Sequence, residues 1–151
     1  MVMKMKVLIQ VVKKAKVRVN EEIVSSIGMG YLLFVGIEKN DTEEILQKMA
    51  SKIAHLRIIQ DENGKTNLSI LDKKYEILSI SQFTLCAMLD GRRPSFSNAM
   101  NAQMAKDFYL KFNQMLKNLN MIVKEGVFQT EMEVELINDG PFTIYIDSNN
   151  L

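Results

Sequence analysis

The chain has 151 residues, 47% of them hydrophobic, a formal net charge of +1 and a single cysteine, Cys86. Such a length suits one domain over residues 1–151 that hides about 68–70% of its unfolded surface on folding, and the lone cysteine excludes an internal disulfide and fits a reducing, cytoplasmic setting. The near-neutral balance excludes gross electrostatic attraction to RNA or membrane, and the apolar run Val7 to Val12, broken by Gln10, is too short for a signal-peptide core or a bilayer span.

In chain order, Met5 to Val12 reads as a buried strand, and the alternation Lys16, Val17, Arg18, Val19 as a half-exposed one. "NEE" turns the chain into "IVSSI", and "GMG" punctuates before the apolar strand "YLLFVGI". A helix follows over "NDTEEILQKMASKIAHL". Asp41 with Glu44 reads as its capping box, and Ile45, Met49, Ile53 and Leu56 mark one face. "LRIIQ" and "NLSIL" are short strands around an Asn-Gly turn. "YEILSISQFTL" reads as the next long strand. A second helix covers Ala102 to Leu119, with Phe108, Phe112, Met115 and Leu119 toward the core. Three strands end the chain: "MIVKEG", "MEVELIN" and "FTIYID". Two main helices against many strands give an α/β or α+β domain with a mixed sheet.

Charge is unevenly placed. Residues 1–20 hold Lys4, Lys6, Lys13, Lys14, Lys16 and Arg18 and no acid, whereas Lys124 stands against Glu125, Glu131, Glu133, Glu135, Asp139 and Asp147 in residues 121–151. The pattern fits a phosphate-facing edge, or a basic strand beside an acidic neighbour.

Acid–base chemistry is scarce. The one histidine, His55, is the only candidate base for Ser81, Thr84 or Cys86, and it sits where a cationic side chain suits a helix C-terminus. One histidine and one cysteine do not make a usual zinc site, and no phosphate loop or GxGxxG is present. No metal or cofactor is therefore expected. The eleven methionines read as adaptable core filling. "SISQFTL" puts Ser81, Gln82 and Thr84 at the end of an apolar strand, where they line a site or bond neighbouring backbone. "DGRRPSF" is a loop with Arg92, Arg93 and Phe96, suited to phosphate or to solvent. "NDGPFT" holds one of two prolines; Gly140-Pro141 is a turn or a way of aiming two carbonyls.

Taken together, "SQFTL" at 81–85, "GRRPSF" at 91–96 and "NDGPFT" at 138–143 resemble the signature segments of D-aminoacyl-tRNA deacylases, also called D-tyrosyl-tRNA deacylases. The likeness runs collinearly through "SIGMGYLLFVGIEKNDTEE", "KIAHLRIIQDENGKTNLSILD" and "GVFQTEMEVELINDGPFTIYID", nearly the whole chain. The resemblance implies a three-layer α/β mixed-sheet domain that works as a homodimer in the cytoplasm, without a cofactor. It implies hydrolysis of the ester between a D-amino acid, or glycine, and the terminal ribose of tRNA, whose acceptor end is the partner. The Gly140-Pro141 peptide is then cis and reaches into the pocket of the other subunit. Its carbonyls accept from the substrate's α-ammonium and fill the space of an L-side chain. The main-chain N–H groups of Phe83 and Thr84 become oxyanion donors, with the substrate 2′-OH assisting. Phe128 and Met132 line the amino-acid side; Ser81 and Gln82 position the terminal adenosine or the strand itself.

Three positions depart from the family pattern. Val11 stands where an arginine usually latches the Gly-Pro loop, which leaves that task to Lys13 or implies looser chiral selectivity. Phe142 replaces a smaller apolar residue, and Gln129 stands where glycine is frequent. Two alternatives stay open: a tRNA acceptor-end binding protein with weakened catalysis or relaxed chiral selectivity, and an ordinary esterase using Thr84 or Cys86 with His55.

Overall fold

The computed structural model describes residues 4–151. Strand β1, Lys6–Val19, is its spine and joins both expected N-terminal strands into 14 residues. A two-residue turn leads to β2, Glu22–Ile27, in the register Val19↔Glu22. Asn20 and Glu21 both have positive φ, 50° and 70°, the backbone twist that suits a tight antiparallel hairpin. Strand β3, Gly30–Gly36, continues along the same edge of β1. The edge breaks at Gly30, where an added Cβ would lie 1.7 Å from the Glu76 carbonyl oxygen.

Helix α1, Glu43–His55, follows, capped by Thr42 and not by Asp41: the Thr42 side chain accepts from the Ile45 N–H at 3.3 Å. Asp41 is occupied elsewhere. It is buried, and its two oxygens accept from the Met5 N–H at 2.8 Å and the Glu38 N–H at 2.7 Å. Met49 and Ile53 face the core as expected, joined by Leu46, Ala50 and Ala54, while Ile45 and Leu56 flank them half-buried. A small hairpin, β4 (Ile59–Gln60) with β5 (Thr66–Leu68), is shorter than "LRIIQ" and "NLSIL" imply. Its return strand stops because Ser69 and Asp72 form a capping box that starts a one-turn helix, α2, Ile70–Lys73.

Strand β6, Glu76–Ser81, runs parallel to β3, and it is shorter than its apolar pattern implies. After the Gln82 N–H bonds the Val35 carbonyl, Phe83–Cys86 coil into a 3₁₀ turn, which lifts Gln82 and Thr84 off the strand face expected for them. Helix α3, Ala102–Asn118, is capped by Asn101 and leads into β7, Ile122–Glu125, parallel to β6. Its buried stripe is Tyr109, Phe112, Asn113 and Leu116, rotated from the expected one. Two polar groups set that rotation: the Tyr109 hydroxyl donates to the Ser79 carbonyl at 2.6 Å, and the Asn113 amide donates to Glu125 at 2.7 Å.

"MEVELIN" and "FTIYID" are one strand, β8, Glu133–Asp147, antiparallel to β1. Its register jumps from Val12↔Asn138 to Gln10↔Thr143, so residues 139–142 bulge out of the ladder opposite Val11. The Gly140-Pro141 peptide in this bulge is cis, and both residues are exposed. Here the charge asymmetry finds its partner, since Lys16 and Arg18 of β1 both pair with Glu135 of β8, at 3.3 and 3.1 Å.

The mixed sheet has the order β2-β1-β3-β6-β7, with β8 on the far side of β1. It curls until β2 nearly meets the other end: Ser25 donates to the Glu125 carbonyl at 2.6 Å, and Lys124 to the Ser26 carbonyl at 2.8 Å. Alternation along the strands sends side chains to two cores. Val7, Ile9, Tyr31, Leu33 and Ile77 pack under α1 and α3. Val12, Val17, Leu32, Leu78 and Ile80 fill the inside of the curl with Val134 and Leu136. No helix among the described residues is long and apolar enough to cross a membrane.

Candidate functional site

The parallel strands β3 and β6 end side by side, and α3 begins just beyond them. Open α/β sheets commonly hold ligands at this carboxyl end. Here a cavity of about 640 Å³ opens between the tips of β3 and β6, the start of α3 and the segment 128–134. That is a volume suited to a small-molecule moiety.

Of the residues singled out in the sequence, Ser81, Gln82, Phe83, Phe128 and Met132 all line this cavity. Two stretches far apart in sequence are thus brought to one place. The segment 126–132 is held by its backbone and by sulfur: the Gly126 N–H bonds the Ser79 carbonyl at 3.2 Å, and the Val127 N–H reaches the Met132 Sδ at 3.4 Å. Phe128 leans on Tyr109, ring centroids 6.0 Å apart. At the mouth, Phe83 is 55% exposed and meets Phe96 edge-on, centroids 5.0 Å apart.

Thr84 does not line the cavity wall. Its hydroxyl is exposed and accepts from the Gln82 side-chain amide at 2.6 Å. Among the described residues no histidine or carboxylate hydrogen-bonds to it. The Phe83 and Thr84 main-chain N–H groups open the 3₁₀ turn, and neither donates to another described residue. The turn therefore presents two adjacent donors beside the cavity, an arrangement able to receive an oxyanion. Gly140 and Pro141 lie outside the cavity of their own chain, on the β8 bulge.

The other candidate nucleophile is disabled by burial. Cys86 is fully buried, and loss of solvent pushes its thiol up to about 12; it donates weakly to the Ile37 carbonyl, with sulfur 3.6 Å from oxygen. His55 stands elsewhere, in a surface hollow beside Lys48, Lys52 and Arg57, with its Nδ1 2.8 Å from the Ser51 carbonyl. The Ser-His or Cys-His pair that an ordinary esterase needs is not assembled by these residues. Among the described residues no cluster of three or more histidines, cysteines or carboxylates is grouped to hold a metal.

Behind the cavity sits a buried charged knot. Lys6 forms an ion pair with Glu38, and Asp41 ties Met5 to the same segment. Burial raises Asp41 to about 6 against the opposing pull of its two amide donors. The knot fixes the chain just past Ile37, whose carbonyl receives the Met100 N–H at 3.0 Å; Ile37 and Met100 both face the cavity. Sequence reasoning missed these two, along with Val35, Ala99, Ala102 and Ala105. Apolar residues of this kind carry no chemical signal, and only the fold gathers them.

The chain is similar over nearly its whole length to known proteins. The family model for D-Tyr-tRNA(Tyr) deacylase matches residues 8–147. A D-aminoacyl-tRNA deacylase of Dictyoglomus turgidum is 53% identical over 148 residues, covering 97% of this chain and 95% of that protein. One from Lactobacillus gasseri is 50% identical over 144 residues, covering 95% and 99%. Among solved structures, the c-Myc DNA unwinding element binding protein superposes with a TM-score of 0.90 at 41% identity, covering 94% of this chain and 97% of its own. A probable eukaryotic D-amino acid tRNA deacylase shares the fold at 17% identity, with a TM-score of 0.85 and coverage of 95% and 98%.

Proposed function

The chain belongs to the D-Tyr-tRNA(Tyr) deacylase family, and from that membership we propose that it hydrolyses the ester between a D-amino acid, or glycine, and the 3′-terminal ribose of tRNA while sparing L-aminoacyl-tRNA. The observation that carries the reading is the cavity at the tip of β6, with Ser81, Gln82 and Phe83 on one wall, Phe128 and Met132 on another, and two unengaged amides beside it.

The chemistry asks little of side chains. An aminoacyl ester is already activated, and the ribose brings a neighbouring hydroxyl. Water adds to the ester carbonyl, whose oxygen becomes an oxyanion held by the Phe83 and Thr84 N–H groups. The bond to the ribose 3′ oxygen then breaks, and that oxygen leaves with a proton relayed by the 2′-OH. Fixed donors of this kind typically contribute about 2.7–4 kcal/mol each to the transition state, and placement of the reacting groups adds more. Ser81 and Gln82 seat the terminal adenosine; Phe128 and Met132 bound the amino-acid side. Hydrolysis that continues undiminished on tRNA ending in a 2′-deoxyribose would remove the hydroxyl from this scheme.

Chirality is read by backbone. Gly140 and Pro141, exposed on their own chain, enter the pocket of a second copy, where their carbonyls receive the α-ammonium and occupy the place of an L-side chain. Rejection of the abundant mirror image by occlusion is a specificity device that needs no catalytic side chain. Two features support the homodimer this requires. The outer edge of β8 pairs with no other strand among the described residues, and an open edge of 15 residues invites a partner. Ile137 and Tyr145 also leave apolar surface exposed on that strand. The activity belongs to translation quality control, a cytoplasmic task.

One observation favours a second reading, with looser chirality or tRNA binding that outlasts catalysis. Val11 faces the 139–142 bulge across the β1–β8 ladder, is buried, and offers no hydrogen bond to it. Lys13 is exposed and forms no ion pair among the described residues. A Val11→Arg variant that sharpens the preference for D-tyrosyl over L-tyrosyl-tRNA supports the second reading; an unchanged preference removes it.

A further inference from the structure

The sequence "DGRRPSF" is left unused by the chemistry above. The structure makes it a hairpin: the Met88 N–H bonds the Ser95 carbonyl at 2.7 Å, and the Ser95 N–H returns to the Met88 carbonyl at 2.9 Å. Ser97 braces the base through Ser95, and the Lys39 N–H holds the Asn98 carbonyl at 2.9 Å. The hairpin is therefore anchored at its root and open at its tip, where residues 90–94 are all exposed.

Its tip carries Arg92 and Arg93. Of the four arginines in the chain, Arg18 pairs with Glu135 and Arg57 is bonded to Asn67, but Arg92 and Arg93 bond to no described residue. Asp90, the acid of the same tip, pairs with neither. Lys39, also exposed and without an ion pair among the described residues, stands at the hairpin root. Just past the hairpin, Phe96 meets Phe83, a residue of the cavity wall, with ring centroids 5.0 Å apart. Arg92 and Arg93, four and three residues before Phe96, and Lys39, bonded at Asn98, are thus carried by the segment whose Phe96 meets Phe83, a residue lining the cavity of about 640 Å³.

We propose that the hairpin Met88–Ser95 is a phosphate clamp for the tRNA acceptor strand, with Arg92 and Arg93 on the backbone oxygens next to the seated terminal nucleotide and Lys39 beside them. The proposal rests on the deacylase reading above. Guanidinium groups match phosphate with paired donors, and free ones need not first break an internal salt bridge. Phosphate contacts position a nucleic acid without reading its sequence, so the clamp serves any tRNA.

The test compares two substrates: D-tyrosyl-tRNA, and 3′-O-D-tyrosyl adenosine, which has the ester and the nucleoside but no phosphate. In a protein carrying Arg92→Ala and Arg93→Ala, KM for the tRNA rises about tenfold near physiological salt, and the slope of log(kcat/KM) against log salt becomes shallower by about 1.4. Hydrolysis of the adenosine ester stays as in the unaltered protein. The pair Arg92→Lys and Arg93→Lys recovers most of the salt slope, which a merely structural loop would not do. Unchanged KM and salt slope for the tRNA overturn the clamp. An equal loss on both substrates overturns it as well, since the hairpin then acts on the pocket. If the unaltered protein hydrolyses neither ester, the deacylase reading fails first, and that is seen before any substitution is made.

Discussion

Asp41 accepts from two backbone amides at once in a site almost closed to water. Burial raises its carboxyl from the ordinary 3.8 to about 6. The folded state thus holds this proton more tightly than the unfolded chain does. The resulting stabilisation is complete below about pH 3.8 and is lost as pH rises through about 6. Asp41→Asn removes that titration and turns one acceptor toward an N–H as a donor, at a cost of about 1–3 kcal/mol. Urea midpoints at pH 4 and pH 7.5 should therefore show the gap between native protein and variant narrowing at the higher pH. His55 gives a second prediction. Loss of a general base costs about 10²–10⁴-fold, so a His55→Ala enzyme that keeps D-tyrosyl-tRNA hydrolysis within about twofold excludes it from that role. At this scale the sequence spoke unevenly. Ser81, Gln82, Phe83, Phe128 and Met132, singled out through motif resemblance, share a cavity. Asp41 was misread as a helix cap, because capping chemistry and a buried two-amide acceptor ask for the same side chain.

The elements were legible where period and length agreed. α1 and β3 follow their apolar patterns because burial on one face or on both leaves a clear repeat, and α3 keeps its expected span to within one residue. Boundaries failed where tertiary partners decided them. β6 stops at Ser81 because the chain coils after bonding Val35, and nothing in "SQFTL" announces a 3₁₀ turn. β8 absorbs the expected turn at Gly140-Pro141 as a bulge, because β1 pairs with it on both sides. The face of α3 was displaced because Tyr109 and Asn113 are buried for their hydrogen bonds, which an apolar stripe does not reveal. Tyr109→Phe removes a buried donor to the Ser79 carbonyl, which keeps its bond from Gly126, so unfolding stability falls by only about 1 kcal/mol. Gly30→Ala is far more severe, since its methyl collides with the Glu76 backbone and not with a side chain that can move. A loss of about 3 kcal/mol or more in urea unfolding is expected, with β3 and β6 forced apart.

At the scale of the whole molecule, the sheet curls so that one face packs under helices while the other closes on itself, and the cavity forms where β3, β6 and α3 meet. That meeting is invisible in a linear reading: Ile37, Met100, Ala102 and Ala105 become neighbours only after the chain has folded. The proposed partner copy leads to a concentration test. Turnover per chain should fall on dilution as sedimentation reports the monomer, and a fully active monomer would contradict the exchange of the Gly140-Pro141 segment. The central claim is that this cavity takes the aminoacyl end of tRNA and tells one hand of the amino acid from the other. Its most direct measurement is the initial rate of ester hydrolysis on D-tyrosyl-tRNA and on L-tyrosyl-tRNA, side by side with the same enzyme. The account predicts a D preference of about a hundredfold or more, in the range that steric exclusion and a misplaced ammonium together supply. Equal rates on the two would contradict it.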